Sequence, residues 1–353
     1  MKHGMKDGVK GGAGARGPVW AGTVWAGSVW AVALAAILCA ALFLSIRLGA
    51  AELSTREIME ALRGAGSETG RFIVLDLRLP RALMGLLVGG GLAVSGATFQ
   101  ALLRNPLAEP YILGISGGAA SGALLVLALG WMAETSWLLP LAAFSGAALA
   151  IFLVFGVALS ADWRMDVRVL LLSGVVVGAF FTAGIALILA LADAPTMRSA
   201  LLWMMGSLSG SSWSSVSVVA GYTLPLAAAL FALSRSLNLM SIGEETAAYL
   251  GTDVETVKRL AYGAASFIAA AGVAFAGVIG FVGLIVPHAL RLMVGSDNRL
   301  LLPLSFLAGA GFLTVADLVA RTALAPSEIP IGVVTAFLGV PMFLLLLRRS
   351  IRP

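Results

Sequence analysis

Apolar runs of about 20 residues, the length that spans a bilayer as a helix, recur along this whole chain. Only helices or closed barrels can satisfy their backbone hydrogen bonds in that environment. With 59% hydrophobic and 12% charged residues among 353, the chain has too few polar residues to shield such runs from water. We therefore predict an all-α polytopic membrane protein. About ten transmembrane helices are expected, near residues 22–46, 82–103, 111–130, 138–160, 169–191, 213–234, 260–280, 282–294, 300–319 and 331–347.

The charged residues indicate how the chain is oriented. Residues 1–19 are rich in Gly and Lys and lack apolar periodicity, which predicts a disordered, basic cytoplasmic tail. The apolar run that follows could be read as a signal peptide, but it is too long for one and lacks a convincing cleavage site. We interpret it as the first span, and residues 20–353 as a single transmembrane domain. An even number of spans then places both termini in the cytoplasm.

The net charge of +5 raises the question of nucleic-acid binding. The cations lie in short loops between spans rather than on one basic face, which favours positive-inside topology and no nucleic-acid partner. The single cysteine, Cys39, excludes a disulfide framework.

One long outer loop departs from this charge distribution, because it mixes basic and acidic residues. It ends in Arg78 and Arg81, which flank Pro80 at the predicted start of the second span. The helix dipole is positive at that end and disfavours cations there. We therefore interpret the two arginines as groups retained for the carboxylates of an external partner.

The second span also carries small residues at four-residue spacing. Gly85 and Gly89 form one such pair, and Gly91 and Ser95 form another. Small residues at this spacing let helices approach closely where lipid provides no hydrophobic drive to pack. This span is therefore predicted to face protein.

The inner loop over residues 235–259 is predicted to contain a short helix. The chain does not need this helix to cross the membrane. Ser241 and Glu244 have the spacing of a capping box, residues 245–250 can form a short helix, and Gly251 can end it. A second capping box over 252–255 is predicted to open the next span.

This short helix is either a plain connector or a docking surface for a cytoplasmic protein. Ile242, Ala247 and Tyr249 are expected to be exposed on it, and exposed apolar residues beside the membrane favour the docking surface.

Three classes of membrane protein fit a polytopic chain: a pore driven by a separate ATPase, an ion-gradient-driven secondary transporter, and an intramembrane enzyme. Charges are nearly absent from the middles of the spans, which disfavours a gradient-driven carrier. His3 and His288 are the only histidines, and no catalytic constellation, metal site or cofactor site is predicted. No Gly-Lys pair exists from which a P-loop could be built. The energy for transport is therefore expected to come from a partner protein.

Several segments resemble the FecCD family, the permease subunits of ABC importers for large metal chelates such as vitamin B12, heme and ferric siderophores. The matching segments occur in the family's order, at residues 78–81, 100–110, 113–119, 203–208, 241–247, 280–291 and 328–335.

The resemblance implies a type II ABC importer permease that is not itself an enzyme. Such a permease is a multi-pass protein of the cell (inner) membrane, surrounded by lipid and paired with a second copy of itself. Two cytoplasmic ABC ATPase subunits and an external or periplasmic substrate-binding protein complete the importer. A ferric siderophore is the favoured cargo, with heme or cobalamin as the alternative within the family and a gradient-driven transporter as the alternative from another class.

The resemblance also implies roles for three groups of residues. Carboxylates of the binding protein would be received by Arg78, Arg81 and Arg321. Contact with the ATPases would involve Ser241, Ile242, Gly243, Glu244, Glu245, Ala247 and Gly251. The cytoplasmic gate would be formed by Asn105, Leu107, Asp166 and Val167. The resembling vitamin B12 permease has small hydroxyl residues at the last two positions, so the gate chemistry differs here.

Overall fold

The computed structural model describes residues 19–49, 51, 53–131, 137–161 and 165–351. Apart from Val19, the predicted basic tail lies outside the described residues. The described part contains these helices: α1 Val19–Arg47, α2 Thr55–Leu62, α3 Glu68–Leu102, α4 Ile115–Ala128, α5 Leu138–Ala161, α6 Val167–Leu191, α7 Ala194–Met204, α8 Trp213–Ala232, α9 Ser234–Ile242, α10 Glu244–Tyr249, α11 Val254–Ala276, α12 Val282–Val294, α13 Asn298–Thr322 and α14 Ile331–Ile351.

The predicted spans and the observed apolar helices correspond one to one within the described residues. Seven helices are long and apolar enough to cross a membrane, and three shorter apolar helices, α4, α12 and α14, match the remaining predictions. Four further helices, α2, α7, α9 and α10, lie between spans. The prediction of an all-α polytopic membrane protein is confirmed.

Helix α3 is the centre of the bundle, which agrees with the prediction that this span faces protein. In its most apolar window 89% of the residues are buried, against 17% for α6. It packs against α13, α11, α12 and α8, whereas α6 presents most of its surface outward. Ser95 donates a hydrogen bond to the Ala265 carbonyl 2.9 Å away, which links α3 to α11.

The start of α3 differs from the prediction. The helix begins at Glu68, where the Ser67 side chain accepts a hydrogen bond from the Gly70 N–H, rather than near Ala82. A π-helical turn over Phe72–Arg78 leads directly into the segment that holds Pro80, which has no N–H to donate. Arg78 and Arg81 therefore lie inside a continuous helix, and the dipole argument for their external role is wrong.

Two glycines of α3 allow other helices to touch its backbone. A Cβ built on Gly96 would overlap the carbonyl group of Gly283 in α12, and a Cβ on Gly89 would overlap that of Gly309 in α13. Both neighbours are backbone atoms, so they cannot turn aside as a side chain could. These positions hold α12 and α13 against the central helix.

We expect Gly96→Ala to push α12 away from α3 and to destabilise the protein by about 1–3 kcal/mol, the usual cost of overpacking. Thermal unfolding in detergent measures the change. Gly263→Ala is the matched control, because a Cβ on Gly263 meets open space. A midpoint for Gly96→Ala that is no lower than that of the control would contradict this account of the packing.

The inner loop forms the predicted short helix but with different caps. Ser241 remains inside α9, where it donates to the Asn238 carbonyl, because the apolar side of that helix is buried. Gly243 separates α9 from α10, so the capping box of Ser241 and Glu244 is wrong. Asp253, one residue after the predicted Thr252, caps α11 by accepting from the Thr256 N–H at 3.2 Å.

Candidate functional site

We call the end of the bundle that holds Arg81 the outer end and the end that holds Glu244 the inner end, following the predicted orientation. At the outer end, Arg78 is buried with 6% of its surface exposed. Its guanidinium donates to the carbonyls of Ile46 and Arg47 at 2.8 and 2.9 Å, and to that of Ala51. The first two are carbonyls of the last turn of α1, which lack helical partners. Arg78 therefore caps α1.

Arg81 lies one turn further along α3 and forms ion pairs with two carboxylates. It donates to Asp317 of α13 through Nε and Nη2 at 2.9–3.1 Å. It also donates to both oxygens of Glu328 at 2.9 Å in a bidentate arrangement. Bidentate guanidinium–carboxylate pairs fix geometry as well as charge. Arg81 thus ties α3 to α13 and to the loop that precedes α14.

Arg321 completes this group, which we call the outer cluster: Arg81, Asp317, Arg321 and Glu328. Its Nε lies 3.6 Å from Asp317, and its Nη2 donates to the backbone carbonyl and hydroxyl of Ser45 in α1. Two cations therefore face two carboxylates, and the group is neutral overall.

The members of the outer cluster differ in their access to solvent. The side chain of Asp317 is 2% exposed, that of Arg81 13% and that of Glu328 43%. Hydrogen bonds from Arg81 lower the pKa of Glu328 below its usual range, so this carboxylate is ionised at neutral pH. Glu328 is therefore the charged group of the outer cluster that an approaching partner meets first.

The predicted gate residues lie at the inner end, three of them in two loops and Val167 at the start of α6. Asn105 accepts a hydrogen bond from the Leu107 N–H at 2.9 Å, which folds the turn after α3 and leaves the Leu107 side chain 45% exposed. Asp166 caps α6 by accepting from the Arg168 N–H at 2.7 Å, and Val167 is the first residue of that helix. Arg104, just before the first loop, adopts a left-handed backbone with a φ of 49°.

The predicted coupling segment, residues 241–251, presents an apolar surface beside these loops. Ile242 is 69% exposed, Tyr249 91% and Leu250 62%. Ala247 is fully buried, so its expected exposure is wrong. The reason is the short length of α10: its one inward face packs on the bundle, and Ala247 lies on that face.

A cavity of about 580 Å³ lies between the end of α7, the segment that joins α11 to α12, and α14. Its walls are apolar and comprise Met204, Met205, Val278, Gly280, Phe281, Gly332, Val333, Ala336, Phe337, Val340 and Pro341. Phe281 holds a left-handed backbone with a φ of 70°, and its N–H donates to Glu109 at 3.1 Å. The described residues contain no cluster of His, Cys, Asp or Glu that could hold a metal ion.

The structure thus combines a long central helix, two inner loops beside a short exposed helix, and an apolar cavity. A solved metal-chelate type ABC transporter in an inward-facing conformation is similar in fold, at a TM-score of 0.81 and 31% identity, which assigns the chain to the transport subunits of ABC importers. The match covers 90% of this chain and 98% of that one.

The sequence profile described as the FecCD transport family matches residues 37–349, and the chain belongs to this family. The cobalamin import system permease protein BtuC of Halobacterium salinarum is 44% identical over 81% of this chain and 76% of its own length. The vitamin B12 import system permease protein BtuC of Yersinia enterocolitica is 43% identical over 80% of this chain and 84% of its own.

A relative named for another cargo is similar at a comparable level. The hemin transport system permease protein HmuU of Yersinia pestis is 38% identical over 87% of this chain and 91% of its own length. The protein is thus a multi-pass membrane permease of an ABC importer for metal-chelate, vitamin B12 or heme type substrates, and not an enzyme. The family implies an ATPase partner and a substrate-binding protein.

Proposed function

We propose that this permease imports cobalamin, as one half of a homodimer whose termini lie in the cytoplasm. Two of the relatives described above, at 44% and 43% identity, are named for cobalamin or vitamin B12. This similarity supports the proposal, and for this reason we prefer cobalamin to the ferric siderophore that the family resemblance favoured. The apolar cavity supports it, because walls without charge suit a neutral macrocyclic chelate better than a charged one.

The homodimer gives the cavity a second wall. Phe337 of α14 lines the cavity, yet 77% of its surface is exposed in a single chain. A second copy placed against α14 would cover this residue and enclose the cargo path between the subunits, while lipid covers the remaining apolar surface.

Uptake into proteoliposomes that contain the permease, its ATPase and its binding protein tests the cargo. Cyanocobalamin, hemin and a ferric siderophore should be supplied separately at equal concentrations. We expect ATP-dependent uptake of cyanocobalamin to exceed that of the other two at least tenfold. Preferential uptake of hemin or of the siderophore would overturn the cobalamin proposal while leaving the family assignment intact.

For docking, we infer that the binding protein contacts the outer cluster. One of its carboxylates replaces Glu328 as a partner of Arg81. Arg78 and Arg321 are buried by contacts with α1, whereas Arg81 is held partly by the exposed Glu328. A carboxylate of the binding protein can replace Glu328 on Arg81 without breaking the buried pair with Asp317. On this account Arg78 and Arg321 act from within, by holding α1 in place and adding positive charge below the surface, and Arg81 makes the direct contact.

Glu328→Gln removes the negative charge that competes for Arg81 while preserving the shape of the side chain. We expect association with the binding protein to become about threefold to tenfold faster at low salt, with the gain shrinking as salt rises. Surface plasmon resonance at two salt concentrations measures it. Glu60→Gln on α2 is the control, because it removes the same charge from an exposed carboxylate paired with Arg56. Equal effects of the two variants would contradict the exchange.

At the inner end, we infer that the coupling segment binds the ATPase. Its exposed Ile242, Tyr249 and Leu250 form an apolar surface next to the loops that hold Asn105 and Asp166. Movement of the ATPases on ATP binding would then be passed to the gate through this segment.

A further inference from the structure

Lys258 is a fully buried cation near the start of α11, with 1% of its surface exposed. Its ammonium group lies 2.9 Å from the Met165 carbonyl, 2.5 Å from Glu244 and 3.4 Å from Glu255. An ammonium group has three N–H donors, and these contacts supply an acceptor for each.

The acceptors come from different parts of the inner end. Glu244 is the first residue of α10, within the coupling segment. Met165 directly precedes the predicted gate residue Asp166, and its N–H also donates to Glu255 at 3.0 Å. Both backbone polar groups of Met165 are thus held by α11.

The other gate loop, which holds Asn105 and Leu107, also contacts this group of charges. The Arg104 guanidinium lies 3.9 Å from Glu244, and Arg104 directly precedes the predicted gate residue Asn105. We call Arg104, Glu244, Glu255 and Lys258 the inner cluster. It joins the coupling segment to both gate loops and carries two positive and two negative charges.

Burial makes this junction rigid. A buried ammonium group that loses its partners is left uncompensated in a medium that solvates it poorly, which is strongly unfavourable. Glu244 therefore cannot move away from Lys258 alone, and a displacement of α10 has to carry Lys258, and with it Met165, along.

We propose that Lys258 is a positioning residue that transmits movement of the coupling segment to the cytoplasmic gate. The proposal rests on the proposed function, because it needs the coupling segment to contact an ATPase and residues 105–107 and 166–167 to form the gate. Lys258 belongs neither to the coupling segment nor to the gate. Movement is transmitted through the contacts of Lys258 with Glu244 and Met165.

Lys258→Met tests the proposal, because methionine fills a similar volume without the charge. The variant should be assembled with the ATPase and the binding protein in proteoliposomes, and both ATP hydrolysis and uptake measured. The readout is the number of substrate molecules imported per ATP hydrolysed, which does not depend on the amount of folded protein. We expect this ratio to fall at least tenfold while hydrolysis stimulated by the binding protein stays within twofold of the wild type.

Two further variants separate transmission from a general structural role. Arg259→Met removes a cation from the adjacent, exposed position and should leave the ratio unchanged. Glu244→Gln weakens the same junction from its more exposed side and should lower the ratio in the same direction; it decides the matter if Lys258→Met does not fold. Combining it with Lys258→Met should add little, since the two residues act through one contact.

The outcomes distinguish this inference from the proposed function. A wild-type complex without ATP-driven uptake would overturn the proposed function itself. A wild-type complex that transports, together with Lys258→Met and Glu244→Gln variants that keep a normal ratio, would overturn only the role of Lys258. A parallel loss of hydrolysis and uptake at an unchanged ratio would likewise assign Lys258 to stability alone.

Discussion

Replacing Gly251 by valine should reduce substrate-stimulated ATP hydrolysis in the assembled importer to less than about a tenth of the wild-type rate, because the coupling segment would be misplaced. Gly251 ends α10 with a φ of 83°, a left-handed backbone that costs a β-branched residue well over 1 kcal/mol. A Cβ at this position would meet no neighbouring atom, so the effect arises from the backbone and not from a clash.

The expected loss is confined to coupling. A Cβ at residue 251 would meet no atom of the membrane-spanning helices, so expression and thermal unfolding of the isolated permease should remain near those of the wild type. Gly251→Asn is the matched control, because asparagine tolerates the left-handed region and should retain most of the stimulation. Hydrolysis by purified complexes with and without loaded binding protein measures the effect. Normal stimulation in the valine variant would remove the coupling segment from the mechanism.

Replacing Asp317 by alanine should destabilise the permease by about 3–5 kcal/mol, the usual cost of breaking a buried ion pair. Asp317 is 2% exposed and lies between Arg81 and Arg321. Without it, Arg81 keeps the ion pair with Glu328, Arg321 loses its ion pair, and α13 loses its ionic contact with α3.

Thermal unfolding in detergent measures this loss. Asp253→Ala is the control, because it also removes a carboxylate, but from an exposed helix cap worth about 1 kcal/mol. A destabilisation by Asp317→Ala no greater than that of the control would show that the outer cluster contributes little to the fold.

The membrane spans could be predicted from the sequence because length and apolarity alone determine which segments can cross a bilayer. That α3 packs against protein was also predictable, since Gly89 and Ser95 mark surfaces of close approach. The true start of α3 was not, because the mixed charges before Asp76 resemble a solvated loop and Pro80 resembles a first helical residue.

The outer cluster could not be predicted in detail, because Arg81 and Asp317 are 236 residues apart in the chain. A signal was nevertheless present: a lone carboxylate such as Asp317 in an apolar span implies a buried cationic partner. The contacts of Lys258 could not be predicted either, because its partners Glu244 and Met165 lie in α10 and in the loop before α6. The capping box at Ser241 failed because burial of the apolar side of α9 keeps that residue helical.

The central claim is that the chain is the pore of an ATP-driven importer and has no energy source of its own. Uptake should be measured in proteoliposomes that contain the permease either alone or with its ATPase and binding protein, with ATP and with imposed proton or sodium gradients. The account predicts no ATP hydrolysis by the permease alone, and uptake only in the complete complex with ATP. Uptake by the permease alone under a proton or sodium gradient, without ATP, would contradict it and identify a secondary transporter.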